Sequence, residues 1–217
     1  MTGDLFDASA IDGAVRVALS EDAVLLRGRA LPVAEALLSA IRTVADAAPF
    51  RRMVTPGGFQ MSVAMTNCGS AGWMTDRKGY RYTADDPQTG APWPAMPAVF
   101  LNLADAAAAE AGFPGFVPDA CLINRYEPGA RLSLHQDKDE RDYAHPIVSV
   151  SLGLPATFQF GGPNRADPVA KVPLTHGDVV VWGGAARLHH HGVLTLRNGE
   201  HPATGRTRFN LTLRRAM

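Results

Sequence analysis

The C-terminal half of the chain is a succession of short strand-like runs, and this feature constrains the fold most. From about residue 119 onward, apolar and β-branched stretches are separated by Gly, Pro, Asn and Asp, and no helical pattern lies between them. Strands at this spacing predict an antiparallel sandwich or barrel. The predicted strands are Ala120–Tyr126, Leu132–His135, Ile147–Leu154, Thr157–Phe160, Asp178–Trp182 and Arg208–Leu213.

Two helices are expected ahead of these strands. Pro32 suits the first position of a helix, and the apolar residues that follow it recur at helical spacing. A second helix is expected to begin after Pro97 and to end at Gly112. Residues 55–95 are rich in Gly, Pro, Thr and aromatic residues, which predicts loops and a hairpin over one mouth of the sandwich.

Composition excludes several classes of protein. The 217 residues suit one domain, and two cysteines outside any CxxC pattern exclude a disulfide scaffold or a cysteine-based zinc module. No apolar run is long enough to cross a bilayer, and the acidic N-terminus does not resemble a secretory signal. A cytoplasmic protein is expected. Because no segment resembles a coiled coil, we also expect a monomer.

The charges balance over the chain but not along it. Lysine plus arginine and aspartate plus glutamate each number 21, so no net field attracts a polyanion. Residues 51–82 nevertheless hold five bases and one acid. This cluster is either a solvated face or a local patch for phosphates. Its bases are Arg51, Arg52, Arg77, Lys78 and Arg81.

The segment His135-Gln136-Asp137 carries the first sign of chemistry. On an extended strand alternate side chains share a face, so His135 and Asp137 project together. A histidine beside a carboxylate, joined by a distant second histidine, is the ligand set of non-haem iron(II) oxygenases. That second histidine is expected within the run 189–191. Spacing alone does not choose between His189 and His191, which share a face if the run is extended.

The C-terminal strand alternates strictly between polar and apolar residues. One face carries Arg208, Asn210, Thr212 and Arg214, and the other is apolar. An amphipathic strand with its polar side in water would show the same pattern. Two arginines and an asparagine on one face also suit a dicarboxylate, since a guanidinium binds a carboxylate through two parallel hydrogen bonds. With a metal-ligand pattern upstream, the second interpretation is favoured.

Taken in order, these motifs resemble the AlkB family of alkylated-nucleic-acid repair dioxygenases. The resemblance runs from about residue 20 to about residue 215, and upstream it includes Met53–Gly58, Met61–Asn67 and Trp93–Pro97. The HxD pattern is unspecific alone, whereas its combination with RxNxTxR is specific. The motifs are Asn124-Arg125-Tyr126, His135-Gln136-Asp137, His191-Gly192 and Arg208 to Arg214.

The resemblance implies a mainly β fold with flanking helices. Its core would be a double-stranded β-helix, the jelly roll of these oxygenases, within a single domain that spans residues 1–217. The jelly-roll catalytic core would occupy residues 119–215, and an N-terminal nucleotide-recognition lid would occupy residues 50–95. The fold expected from the strand pattern and the fold implied by the family therefore agree.

The resemblance also implies a ligand set for iron and for the cosubstrate. Iron(II) would be bound by His135, Asp137 and His191. Arg208 would pair with the distal carboxylate of 2-oxoglutarate, helped by Asn124 and Tyr126. The carboxylate beside the keto group would be addressed by Asn210 and Arg214. The additional histidines at 189 and 190 have no assigned role.

The implied reaction is oxidative removal of methyl groups from N1-methyladenine and N3-methylcytosine. It uses Fe(II), O2 and 2-oxoglutarate and releases formaldehyde, succinate and CO2. Single-stranded DNA is the expected partner, with RNA as a second one. A cationic base would stack between Trp73 and His135, with an acidic residue facing its exocyclic amine. The implied substrate residues are Met61, Trp73, Tyr80, Asp139, Glu140 and Arg165.

Three alternatives share part of this pattern. A dioxygenase of the same fold acting on a small molecule or protein side chain would keep every iron and 2-oxoglutarate residue. It would have no need of Trp73, Tyr80 or the basic region. A cupin-like metal-binding module would not bind 2-oxoglutarate, and a zinc hydrolase would not consume oxygen.

Overall fold

The computed structural model describes residues 15–217. The acidic N-terminal segment, on which the expectation about a secretory signal rests, lies outside these residues. Two α-helices are present, α1 (Ala34–Ala47) and α2 (Ala98–Glu110). The strands are β1 (Arg16–Ser20), β2 (Ala23–Leu26), β3 (Ala64–Gly69), β4 (Gly72–Asp76), β5 (Gly79–Thr83), β6 (Ala120–Tyr126), β7 (Leu132–His135), β8 (Ile147–Gly153), β9 (Ala156–Phe160), β10 (Ala170–Leu174), β11 (Val179–Trp182), β12 (His191–Val193) and β13 (Arg208–Arg214).

Eleven of these strands form two antiparallel sheets that face each other. The larger sheet has the order β1-β2-β11-β8-β13-β6-β3, and the smaller has the order β10-β9-β12-β7. Strands β4 and β5 form a separate hairpin. The predicted sandwich is confirmed as the jelly roll expected of this type of oxygenase. All six predicted strands are present, with ends that differ from the prediction by no more than one residue.

The segment between the two helices contains a strand of the larger sheet in addition to the expected hairpin. The expected hairpin is present as β4 and β5, but β3 is a strand of the larger sheet, where it pairs with β6. The expectation of loops was therefore wrong for β3. Residues 64–68 are buried on both faces, and this short run, which includes Thr66 and Asn67, has no alternation of polar and apolar residues that would distinguish a strand from a loop.

Both helices lie on the outer face of the larger sheet. Pro32 lies in a short 3-10 turn just before α1, and Pro97 caps α2, so both predicted starts are close to the observed ones. Buried side chains of both helices pack against β8, β11 and β13 in one apolar core. Within the described residues, neither helix has the length and apolar character to span a membrane.

Strand β13 is buried on both faces. Its apolar residues Leu211 and Leu213 belong to the core beneath the helices. Its polar face is equally inaccessible, with Arg208 1% exposed and Arg214 5% exposed. The interpretation of this strand as amphipathic, with its polar side in water, is therefore wrong. The polar face points into the space between the sheets, where buried polar groups need partners.

Candidate active site

Three potential metal ligands converge at one end of the smaller sheet. His135 ends β7, Asp137 follows two residues later, and His191 begins β12 directly opposite His135. His135 Nε2 lies 3.6 Å from one carboxylate oxygen of Asp137, and His191 Nε2 lies 3.6 Å from the other. One ligand atom from each residue lies within 4.8 Å of the others. This is the facial arrangement of two histidines and one carboxylate that suits non-haem iron(II).

Both histidines present the correct nitrogen to a metal. Nδ1 of His135 lies 2.8 Å from the carbonyl oxygen of Ser133, and Nδ1 of His191 lies 3.0 Å from that of His189. A carbonyl can only accept, so each Nδ1 carries a proton, and in the neutral ring each Nε2 keeps the lone pair that a metal needs. Backbone acceptors thereby fix the ring orientation and the tautomer that ligation requires.

The geometry separates His191 from its two neighbours. The ring of His189 packs against Phe160 with centroids 5.5 Å apart, and His190 Nδ1 lies 3.3 Å from the carbonyl oxygen of Gly162. Among the described residues, neither joins the group of three ligands. The tie that sequence spacing left between His189 and His191 is therefore broken by the pairing of β12 with β7.

Gly192 is required by the close approach of these two strands. A Cβ atom at this position would lie 2.7 Å from the carbonyl oxygen of Leu132 and 3.1 Å from the amide nitrogen of Leu134. Backbone atoms cannot yield as a flexible side chain can. The absence of a side chain at Gly192 thus allows β12 to bring His191 against His135.

The carboxylate of Asp137 is held in its ionised form. Burial raises its pKa, but the positive charge of Arg214 beside it outweighs burial and holds the pKa well below its ordinary value. Arg214 donates to Asp137 Oδ2 from Nε at 3.0 Å and from Nη2 at 2.6 Å. An ionised carboxylate between two neutral imidazoles is the form that binds a divalent cation.

Arg208 is a buried cation without an anionic partner in the described residues. Its guanidinium donates to Ser151 Oγ at 3.0 Å and lies 4.9 Å from the ring centre of Tyr126. Its Nε and Nη1 atoms are buried and have no hydrogen-bond partner. Burial lowers the pKa of Arg208, although a guanidinium stays protonated in proteins. Such a group is expected where an anion binds.

The other residues predicted for 2-oxoglutarate surround Arg208. Asn124 donates to Asn210 at 3.2 Å and keeps its own oxygen buried without a partner. Asn210 in turn donates to Ser149 and to the backbone of Val150. The structure brings all five predicted residues to the cavity that holds the three metal ligands; they are Asn124, Tyr126, Arg208, Asn210 and Arg214.

This cavity is open and has a volume of about 820 Å³. Five of the six predicted substrate residues line it: Met61, Trp73, Tyr80, Asp139 and Arg165. Trp73 and Tyr80 stack with ring centres 5.7 Å apart, and Trp73 Nε1 donates to Asp139 Oδ2 at 2.8 Å. Arg165 is fixed beside the metal ligands by donating to the carbonyl oxygen of Leu134 at 2.9 Å.

The prediction that Glu140 faces the substrate needs correction. Its side chain is 1% exposed and does not line the cavity. It accepts a hydrogen bond from Tyr82 and pairs with Arg187 and Arg214 behind the metal ligands. Consecutive loop residues have no fixed alternation, so the sequence could not tell that Asp139 points outward and Glu140 inward.

The basic cluster is also less available than the sequence suggests. Most of its members form ion pairs, since Arg51 binds Asp86, Arg52 binds Glu127 and Arg81 binds Asp76. Only Arg77 and Lys78, in the exposed turn between β4 and β5, lack an ion pair among residues 15–217. A broad positive surface is therefore absent from this part of the described chain.

Comparison with known proteins agrees with the geometry. Residues 23–214 match the family described as the 2OG-Fe(II) oxygenase superfamily. The chain is 62% identical over 198 residues to the alpha-ketoglutarate-dependent dioxygenase AlkB of Escherichia coli K12, which covers 91% of this chain and 92% of that protein. The chain belongs to the AlkB family of 2OG-Fe(II) oxygenases.

Two further relatives place the chain within this family. The mouse nucleic acid dioxygenase ALKBH1 is 32% identical over 122 residues, which is 56% of this chain and 31% of that protein. The solved structure of OsALKBH1 superimposes with a TM-score of 0.82 at 28% identity, covering 93% of this chain and all of that one. As an AlkB-family oxygenase, the chain is an enzyme that uses Fe(II), O2 and 2-oxoglutarate, which decides against a cupin-like module and a zinc hydrolase.

The donor set fits both groups that the AlkB family uses. Two neutral imidazoles and one carboxylate fit iron(II), and the unpartnered nitrogens of Arg208 fit a carboxylate of 2-oxoglutarate. Two further residues support the site and were not predicted from the sequence: Ser151 fixes one nitrogen of Arg208, and Arg187 contacts the backbone of Asp137. Their positions on neighbouring strands and loops carry no local sequence signal.

Proposed function

We propose that the chain removes methyl groups from N1-methyladenine and N3-methylcytosine in DNA and RNA, as a direct-reversal repair enzyme. The observation that carries this proposal is Trp73, a flat aromatic ring at the wall of the cavity that also contains the metal ligands. Tyr80 stacks on Trp73 and Asp139 accepts a hydrogen bond from its indole, so the ring is held in place. A small-molecule oxygenase would have no use for this wall.

The metal and the cosubstrate would be bound by separate sets of residues. His135, Asp137 and His191 hold iron(II), and Arg208 binds the distal carboxylate of 2-oxoglutarate while Arg214 addresses the other one. When bound, these groups supply oxidation of the N-methyl carbon by O2, with succinate and CO2 as coproducts. The oxidised methyl group then leaves the base as formaldehyde. The protein contributes positioning and a shielded site.

The substrate base would be recognised by its shape and charge. Both methylated bases are cationic, so the Trp73 ring favours them over normal bases through a cation–π contribution. Asp139 accepts a hydrogen bond from Trp73 at one carboxylate oxygen. The other oxygen would interact with the exocyclic amine and the positive ring. Met61, Tyr80 and Arg165 line the cavity. Tyr80 would lie near the backbone phosphate, and Arg165 would contact the substrate at the cavity edge.

Residues 50–95, apart from β3, would act as the nucleotide-recognition lid of a single-domain enzyme whose catalytic core is residues 119–215. The enzyme would act as a monomer in the cytoplasm.

We propose single-stranded DNA as the preferred form of the substrate, because unstacking a base costs least free energy there. Because Arg51, Arg52 and Arg81 are already in ion pairs, few cations remain to bind the phosphates of a duplex.

The test is turnover on a panel of oligonucleotides that carry one methylated base, as single or double strands of DNA or RNA. Mass spectrometry should show loss of the methyl group together with succinate formation. Asp137→Ala should show neither product. If the wild-type protein converts 2-oxoglutarate to succinate while every methylated oligonucleotide stays intact, the proposal is wrong and a different substrate must be sought.

A further inference from the structure

Glu140 lies three residues after Asp137 and has its carboxylate at a junction of charged side chains behind the metal ligands. Arg214 Nε lies 3.3 Å from Glu140 Oε1, and Arg187 Nη2 lies 3.2 Å from Oε2. All three side chains are at most 6% exposed. Burying an ionised carboxylate is unfavourable unless partners of opposite charge compensate, and the two guanidinium groups do so here.

Both arginines that pair with Glu140 also hold Asp137. Arg214 donates twice to Asp137 Oδ2. Arg187 donates from Nη1 to the backbone carbonyl oxygen of Asp137 at 2.8 Å, and from Nε to that of His145 at 3.0 Å. The metal-ligating residue is therefore fixed at its backbone and at its side chain by two cations that share one anion.

The charges of this group balance only when Glu140 is present. Two carboxylates face two guanidinium groups, and Arg214 Nε lies between Asp137 Oδ2 and Glu140 Oε1. Without Glu140, both positive charges would act on Asp137 alone. Its oxygens would then be drawn towards Arg214 and would donate less to a metal cation.

The hairpin of β4 and β5 reaches the same group. The hydroxyl of Tyr82, on β5, donates to Glu140 Oε1 at 2.7 Å. Burial raises the pKa of Tyr82 well above its ordinary value, so the phenol keeps the proton that it donates. Tyr82 pairs in register with Trp73 on β4, and Trp73 donates to Asp139. The loop that follows Asp137 is thus tied to the hairpin at two consecutive residues.

We propose that Glu140 is a positioning residue for metal binding, which orients Arg187 and Arg214 on Asp137 and is itself held by Tyr82 of the hairpin. The hairpin then tunes the metal affinity although it supplies no ligand. The inference concerns the metal centre of the oxygenase and does not depend on which substrate the enzyme oxidises.

The test is a titration of the full-length protein with Mn(II) under nitrogen, with free Mn(II) followed by electron paramagnetic resonance and no oligonucleotide present. Glu140→Gln keeps the shape of the side chain and removes its charge. We expect about a 10- to 100-fold loss of Mn(II) affinity, the usual effect of a lost outer-shell partner. Glu127→Gln is the matched control, because Glu127 forms an exposed pair with Arg52; its affinity should equal that of the wild type.

Tyr82→Phe keeps the ring and all four charges and removes one hydrogen bond. We expect it to weaken Mn(II) binding less than Glu140→Gln does. Tyr143→Phe is its control, because that hydroxyl donates to the backbone of Lys138 and does not touch Glu140. In the double variant, the two effects should be less than additive, since the two side chains act through one contact.

Thermal melts establish which variants are folded at the titration temperature. If Glu140→Gln does not fold, Tyr82→Phe decides the question alone. Wild-type Mn(II) affinity in the folded variants would overturn the proposal, and so would additive effects in the double variant. Because no nucleic acid enters the experiment, its failure is distinct from failure of the demethylation assay.

Discussion

Replacing Arg208 with methionine should weaken cosubstrate binding and stabilise the empty protein at the same time. Among the described residues, Arg208 Nε and Nη1 are buried without partners, so a carboxylate can bind one of these nitrogens together with Nη2 through two parallel hydrogen bonds. Each hydrogen bond to a charged group is worth about 1.5–3 kcal/mol. Two such bonds give roughly 3–6 kcal/mol, which corresponds to about a 100- to 20,000-fold loss of 2-oxoglutarate affinity.

In the absence of 2-oxoglutarate, the Arg208→Met protein should be more stable than the wild type. The Arg208 guanidinium is desolvated at a cost of several kcal/mol and is compensated only by neutral partners, Ser151 and Tyr126. Methionine fills similar volume without charge. After the lost hydrogen bond and cation–π contact are subtracted, a net gain of about 1–2 kcal/mol is expected. For a chain of this size that raises Tm by roughly 2–8 °C.

Calorimetric titration of the Mn(II)-loaded protein with 2-oxoglutarate, under nitrogen, measures the first effect. Thermal melts with and without 2-oxoglutarate measure the second, and a saturating ligand should raise the Tm of the wild type only. Arg206→Met is the matched control, since this arginine is exposed and, within residues 15–217, its side chain hydrogen-bonds to Asn198 alone. Unchanged 2-oxoglutarate affinity, or a lower Tm for empty Arg208→Met, would refute the reasoning.

Three other changes test the site. His191→Ala should abolish Mn(II) binding in a titration, while His189→Ala should leave it nearly intact. The reason is that His191 presents Nε2 beside Asp137, whereas His189 packs against Phe160. The reverse result would exchange the two assignments. Trp73→Ala should weaken binding of a methylated oligonucleotide by about 5- to 150-fold, since base stacking is worth roughly 1–3 kcal/mol, and calorimetry should show unchanged 2-oxoglutarate affinity. Gly192→Ala should reduce Mn(II) affinity by at least about 10-fold, because the new Cβ would push β12 away from β7. Unchanged Mn(II) affinity would contradict this prediction, because it would show that the two strands can move apart without displacing His191.

Periodic patterns carried most of what could be predicted from the sequence. The alternation in β13 identified the face that carries Arg208 and Arg214, and the HxD pattern placed His135 and Asp137 together. These predictions depend on neighbours within one strand, so a single segment holds the necessary information. The same holds for both helix starts, where a proline marks the position.

Features that depend on distant partners could not be predicted in this way. Glu140 looks like a solvated loop residue until Arg187 and Tyr82, which are far from it in sequence, are placed around it. Much of the positive charge of the basic cluster is paired with acids that are distant in sequence, such as Glu127, which lies 75 residues from Arg52. Strand β12 has three residues, too few for any periodicity to be detected.

The burial of β13 on both sides gives neighbouring residues of one strand separate tasks. Leu211 and Leu213 pack in the core beneath the helices, while Arg208, Asn210 and Arg214 line the cavity that contains the metal ligands. A saturation scan along this strand should therefore show two phenotypes that alternate at every step, with thermal unfolding at the leucines and loss of turnover in a folded protein at the polar positions. Cosubstrate preference could then be re-engineered on one face of the strand while the opposite face keeps the domain intact.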